Sequence, residues 1–215
     1  MISSGIFSDD GNIDTRLVES LDTLRTLVAH LRGTGLRISM TSGSFDLIHM
    51  GHVTYLQQAK ALADVLVVGV DSDARIRSRK GEGRPLVPER ERLEMLACQR
   101  PVDLLYLKGD DDPKWAMIHA VTPDVLVLSA DHSYSEGQLD ELGGICGEVR
   151  VIPRHEGITT SERIRQIYMH LPDRLTPLLV DSAEEAVGAD FADELGKFLP
   201  AHLPPALEQV QRRGS

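Results

Sequence analysis

Two histidines three residues apart, His49 and His52, close the stretch Ser42-Gly43-Ser44-Phe45-Asp46-Leu47-Ile48-His49-Met50-Gly51-His52. The stretch follows a short apolar run, Leu36 to Thr41, and leads into a helical pattern from about Gly51 to Ala63, so it reads as the turn from a strand into a helix. Gly43 lets backbone approach a ligand closely. The helix start offers free N–H groups and a positive dipole end, which suit an anion. The i, i+3 spacing lets both imidazoles face the same anion. A single histidine in such a turn is more often structural than functional. An HxxH pair can also hold a metal, but no third ligand stands at a convincing spacing, and no metal site is expected. Two histidines, an adjacent glycine and a helix start together point to phosphate chemistry.

Two further segments fit the same chemistry. The first is Arg79-Lys80-Gly81-Glu82-Gly83-Arg84-Pro85, followed by Pro88 and Arg92. In a chain with few lysines it lies within a concentration of bases that starts at Arg75. Lys80, expected on a loop, can swing onto phosphates, and Arg92, expected on a helix, offers a fixed fork for bidentate contacts. The second is Arg154-His155-Glu156-Gly157-Ile158-Thr159-Thr160-Ser161. Its three hydroxyls cluster at a helix start, where an ordinary N-cap needs only one, and with Arg154 they can hold the phosphates of a leaving group.

These segments are positioned by a regular alternation. A helical pattern from Asp14 carries Leu17, Leu21, Leu24, Leu27, Val28 and Leu31 at three- and four-residue steps and ends at Gly33 and Gly35. The valine-rich run Val65 to Val70 reads as a strand buried on both faces. Asp71 to Pro88 reads as a polar loop, and Pro88 as the first turn of a helix reaching about Gln99. Further strands are expected at Val102 to Leu107, Val125 to Leu128 and Glu148 to Ile152. Between them a helix starts at Asp110 to Pro113, and a weaker one covers Gly137 to Leu142. A last helix opens at Thr160-Ser161, runs to about His170 and stops at Pro172. The expected fold is α/β: a parallel, Rossmann-like sheet of about five strands with helices on both faces. Residues 1–13 read as a loose N-terminus, 14–171 as the catalytic domain and 172–215 as a C-terminal extension. The extension holds Pro172, Pro177, Pro200, Pro204 and Pro205, so no continuous amphipathic helix is expected across it.

Composition narrows the function classes. The formal charge is −10, from 33 acids against 23 bases, which argues against nucleic acid as the main partner. Cys98 and Cys146 are too few for a Cys₄ zinc site or a disulfide framework. The N-terminus lacks the basic and apolar regions of a signal peptide, and no apolar run is long enough to span a bilayer, so a cytoplasmic protein without membrane partners is expected. There is no GxxxxGK[ST] loop, and no GxGxxG follows the first strand, which disfavours a P-loop kinase and a dehydrogenase.

The segment GSFDLIHMGH resembles the GxFDxxHxGH signature, with its HxGH motif, of the cytidylyltransferase-like nucleotidyltransferases. KGEGRP with the following Pro88 and Arg92, preceded by VVGVDSDA, is similar to the adenylyltransferase domain of ADP-heptose synthases. RHEGITTS is similar to the RTEGISTT segment of glycerol-3-phosphate cytidylyltransferase. The resemblance covers about residues 14–171. It implies an enzyme that attaches a nucleoside monophosphate to a phosphorylated small molecule and releases pyrophosphate. Mg²⁺ would accompany the NTP. The acceptor phosphate is already an anionic nucleophile, so the reaction needs positioning and charge neutralisation rather than a general base. The resemblance implies that His49 and His52 donate to the α-phosphate and bridging oxygens, and that Lys80 bridges acceptor and α-phosphate. Thr159, Thr160 and Ser161, with Arg154 beside them, would hold the leaving pyrophosphate, and Arg92 would contact the nucleotide. Ser44 and Phe45 would give backbone contacts to the nucleotide. Where the heptose enzymes carry KGGDY, this chain reads Leu128-Ser129-Ala130-Asp131-His132, and Asp131 alone is kept for the nucleotide pocket. Three readings therefore stand. ATP with a sugar phosphate, a heptose phosphate among the candidates, ranks first. CTP with glycerol phosphate or another alcohol phosphate is second. A nucleotide-binding regulatory protein without turnover is third. The family resemblance also implies a homodimer.

Overall fold

The computed structural model describes the backbone of residues 11–153 and 160–213, and the side chains of 11–153 and 170–203. The chain divides into two compact units, 1–157 and 158–215.

The first unit runs α1 (Ile13–Arg16), β1 (Leu17–Val18), α2 (Leu21–Gly33), β2 (Ile38–Gly43), α3 (Met50–Lys60), β3 (Val65–Asp71), α4 (Asp73–Lys80), α5 (Glu89–Ala97), β4 (Leu104–Lys108), α6 (Ala116–Val121), β5 (Val125–Ser129), α7 (Glu136–Gly143) and β6 (Glu148–Ile152). The strands form one six-stranded sheet, all parallel, in the order β1-β4-β3-β2-β5-β6. The α/β reading holds, with one strand more than expected. β3 is buried along its whole length, and alternate residues feed opposite faces. Val65 and Val67 pack with Leu24, Val28, Met117, Val121 and Leu142 of α2, α6 and α7. Leu66, Val68 and Val70 pack with Leu56, Ala59, Leu93 and Leu96 of α3 and α5.

Four sequence expectations change. The helix expected from Asp14 is broken: α1 has one turn, Leu17 and Val18 pair with Leu105 and Tyr106 as an edge strand, and α2 starts afresh behind Ser20, whose hydroxyl accepts from Thr23 N. The segment from Asp71 to Pro88 is not all loop. Ser72 caps Arg75 N at 3.2 Å and Asp73 opens α4, which ends at Gly81 with φ +89°. Lys80 is thus the last residue of a helix. The helix expected at Asp110 to Pro113 begins later, at Ala116, because Asp112 instead accepts from Gly109 N at 2.9 Å in a local turn.

The fourth change lies in the second unit, which is a pair of helices packed on each other, α8 (Thr160–Val187) and α9 (Ala189–Arg213). Pro172 does not stop α8. Both Pro172 and Pro177 lie inside it, and α9 continues through positions 200, 204 and 205. The break falls at Gly188, whose φ of +110° only glycine adopts freely and whose N–H meets the carbonyls of Ala183 and Glu184. Ala183 and Ala192 are buried where small side chains let the helices approach. Among the described residues no helix is long and apolar enough to cross a membrane.

Candidate active site

In the strand order, the chain proceeds from β2 to β3 and β4 on one side and returns to β5 and β6 on the other. The crevice beyond the carboxyl ends of β2 and β5 is therefore the topological switch point of the sheet, where parallel α/β sheets bind ligands. The turn from Ser44 to His49 lies directly there, after Gly43.

That turn is held tightly. Phe45 and Leu47 adopt φ of +50° and +51°, a left-handed conformation that is strained for bulky side chains. Phe45 is buried among Leu56, Val68 and Val70, and its ring sits against Gly43, where a Cβ would come within 3.3 Å. The buried carboxylate of Asp46 accepts from Arg84 Nη1 at 2.8 Å and from the Leu86 and Val87 amides at 3.1 and 3.0 Å. This ties the loop between α4 and α5 to the histidine turn.

His49 and His52 meet at the start of α3, with ring centroids 4.1 Å apart. Gly51 N donates to His49 Nδ1 at 3.1 Å, and His49 N donates to His52 Nδ1 at 3.3 Å. Both Nδ1 atoms are thus acceptors, which assigns the proton of each neutral ring to Nε2. Burial and the neighbouring His49 push the His52 imidazole down to about 4, with Lys80 acting in the same direction and Asp131 and Asp46 opposing it. His52 is therefore neutral at pH 7 and keeps a donating Nε2–H. The charges of Asp131 and Lys80 both act on the His52 imidazole. Desolvation and the adjacent Arg79 and Arg84 lower the Lys80 ammonium, against Asp46 and Asp71.

Arg92 does something other than present an open fork. It is fully buried in α5. Its Nε donates to Val87 O at 3.0 Å, its Nη1 to Ser44 O, and its Nη2 to Asp73 Oδ1 at 2.8 Å. It joins α4, α5 and the histidine turn, and fixes the backbone of Ser44. Arg154 and Thr159 lie outside the described residues; of Thr160 and Ser161 only the helical backbone is described, and it opens α8.

Sequence reasoning passed over Asp46, Tyr55 and Tyr134. Tyr55 of α3 donates to Val127 O at 3.0 Å and shares a 2.6 Å hydrogen bond with Thr41 Oγ1, bridging β2 and β5 beneath the crevice. Burial pushes its hydroxyl up to about 12, with the Asp131 and Tyr134 charges adding to the rise. An aspartate inside the histidine motif was a readable signal for Asp46. The two tyrosines carried none, because buried aromatic residues in α/β folds are commonplace.

The Cytidylyltransferase-like family model matches residues 40–175. The chain is 40% identical over 154 residues to the bifunctional protein HldE of Citrifermentans bemidjiense, covering 70% of this chain and 31% of that protein. It is 42% identical over 144 residues to HldE of Helicobacter pylori strain J99, covering 67% and 30%. The chain thus matches about a third of the length of these curated relatives. Among solved structures, the lipopolysaccharide core biosynthesis protein of Thermoplasma volcanium aligns with TM-score 0.51 at 30% identity, over 57% of this chain and all of the other. The pantoate-beta-alanine ligase of Francisella tularensis, at 13% identity and TM-score 0.53, covering 70% of this chain and 76% of the ligase, shares the fold alone. On the family match and on the histidine turn at the switch point, the chain belongs to the cytidylyltransferase-like nucleotidyltransferase family.

Proposed function

We propose that the chain transfers a nucleoside monophosphate from an NTP, ATP first among them, to a sugar phosphate and releases pyrophosphate. The observation that carries this reading is the pair of Nε2 donors of His49 and His52, set at the start of α3 with Lys80 and Asp131 in electrostatic reach. An acceptor phosphate oxygen attacks the α-phosphorus, a bond to pyrophosphate breaks, and negative charge grows on the equatorial and bridging oxygens. Neutral imidazole N–H groups, the N-terminus of α3 and the Lys80 ammonium stabilise that charge without giving up a proton. The rigid turn positions them: the Ser44 carbonyl is held by Arg92, and the Ser44 and Phe45 backbone lies against the nucleotide. Asp131 faces the nucleotide from the end of β5. Arg154, Thr159, Thr160 and Ser161 take the leaving pyrophosphate. Mg²⁺ enters with the triphosphate as part of the substrate, held by phosphate oxygens and water. The likeness to HldE proteins, together with the resemblance of the KGEGRP segment to ADP-heptose synthases, supports a sugar phosphate ahead of an alcohol phosphate.

Pyrophosphate release with each of ATP, CTP, GTP and UTP against a panel of sugar and alcohol phosphates tests the reading. Turnover with ATP and a sugar phosphate is expected. Turnover with CTP and an alcohol phosphate would establish the second reading, and nucleotide binding without turnover would establish a regulatory protein. A homodimer belongs to the same proposal; static light scattering giving the single-chain mass of 23.7 kDa would refute it.

A further inference from the structure

The carboxyl ends of β3 and β4 carry charges that the transfer chemistry at His49 and His52 does not use. Asp71 ends β3 with its side chain only 3% exposed, and it meets three cations: Arg79 Nη2 at 2.5 Å, Lys108 Nζ at 3.1 Å and Arg75 Nε at 3.3 Å. Burial pushes the Asp71 carboxyl up, but Lys108, Arg79 and Arg75 outweigh burial and hold it below the usual carboxylate value. One carboxylate against three cations leaves two positive charges over. Of the neighbouring acids, Asp110 accepts from Ser78 Oγ and Asp112 from Gly109 N, and among the described residues none of Asp110, Asp111 and Asp112 lies within ion-pair distance of these cations.

Such a surplus is costly to fold around. Lys108 is 18% exposed, and burial lowers its ammonium even with Asp71 beside it. Arg75 is anchored by Nη1 on Gly109 O at 2.9 Å, while its enclosed Nε lacks a hydrogen-bond acceptor of good geometry. Arg79 is the open member, with half of its side chain exposed. The cluster adjoins the crevice along the carboxyl edge of the sheet: Asp71 follows Val70, which pairs with Gly43 at the start of the histidine turn. The charges of Asp71, Arg79 and Arg75 reach the Tyr134 hydroxyl, and Tyr134 in turn acts on Tyr55 beneath the switch point. Tyr134 also stands edge-on to Trp115, at 6.5 Å between ring centroids, an apolar wall of the kind sugar rings lie against.

We infer that Arg79, Lys108 and Arg75 form a second anion subsite, which receives a phosphate or carboxylate that the acceptor carries besides its reacting phosphate. The acceptor is then a phosphorylated sugar or polyol with a second anionic group. The assignment to the acceptor rests on the proposed transfer at His49 and His52; the anion subsite itself does not.

Calorimetric titration of the full chain with inorganic phosphate and with malonate, at constant ionic strength, tests the subsite without turnover. A Lys80→Ala background removes the neighbouring phosphate contact. In it, Arg79→Gln is expected to weaken binding about tenfold, the loss of one charge-assisted hydrogen bond. Asp71→Asn, which removes the internal competitor, is expected to tighten it. The opposite signs separate charge from damage, since a distorted fold weakens binding in both variants; Lys108→Met replaces Arg79→Gln if that variant melts early. Malonate binding as well as phosphate assigns the group as either anion; phosphate alone assigns a phosphate. Failure of both to bind, or equal affinity in all variants, overturns the subsite. Hexose and pentose bisphosphates are then compared with their monophosphates in the parent chain. Tighter binding of a bisphosphate, lost in Arg79→Gln, supports the acceptor assignment, and no preference across the panel overturns it. A transfer reaction that fails while anions bind Arg79-dependently would count against the proposed function and leave the subsite standing.

Discussion

The fully buried guanidinium of Arg92 donates to the carbonyl oxygen of Ser44, so that a residue of α5 fixes the backbone from which the histidine turn departs. The same guanidinium holds Asp73 at the start of α4. The segment carrying Lys80 and the turn carrying His49 and His52 are thereby referenced to one rigid group. Arg92→Met keeps the volume but leaves Asp73 and two carbonyls without their donor. It is expected to destabilise the chain by about 3 kcal/mol, read from the midpoint of chemical denaturation. A midpoint within error of the parent would show that Arg92 does not organise the turn.

Asp46 is the corresponding clamp for the loop between α4 and α5. In Asp46→Ala the Leu86 and Val87 amides lose their acceptor and Arg84 its partner. Hydrogen exchange at those two amides is expected to accelerate about tenfold or more, equal to at least ~1.4 kcal/mol of local opening. Unchanged protection would mean the loop is held by its own backbone instead.

Tyr55 joins β2 to β5 where the crevice opens. Tyr55→Phe removes the hydroxyl between Thr41 and Val127 and is expected to cost about 1–2 kcal/mol, measured by thermal unfolding.

The depressed His52 imidazole gives a pH prediction with a definite sign. The folded group titrates at about 4 and the unfolded one at its ordinary 6.5. Between those values the unfolded chain binds the extra proton. Stability is therefore unaffected above pH 6.5 and falls as pH drops towards 4, by up to about 3 kcal/mol from this group. The His52 Cε1 proton resonance should stay flat from pH 8 to about pH 5.5; an inflection near 6.5 would contradict the buried, neutral assignment.

The parts of this architecture visible in the sequence are those set by burial and by backbone demands. The valines of β3, buried on both faces, left a continuous apolar run. The glycine and histidines of the turn left a spaced motif. α4 left no such trace, because Ile76 is the single buried residue among its eight and five of the other seven are charged. β1 is two residues long and gains its identity only by pairing with β4. Arg92 shows a different limit. A buried arginine serving carbonyls and an open one serving phosphate are the same letter, and only the packing of α5 against the turn tells them apart. The prolines of α8 make the converse point: Pro172 predicts a stop, yet a long helix packed along α9 absorbs the lost hydrogen bonds.

The central claim is that the Nε2–H groups of His49 and His52 stabilise charge developing at the α-phosphate. Single-turnover pyrophosphate release by His49→Ala and His52→Ala, alongside their affinity for the NTP, tests it most directly. The account predicts a fall in the rate of the chemical step of about 10²–10³-fold in each variant with nucleotide affinity changed only slightly. A chemical step near the parent rate in either variant would contradict it.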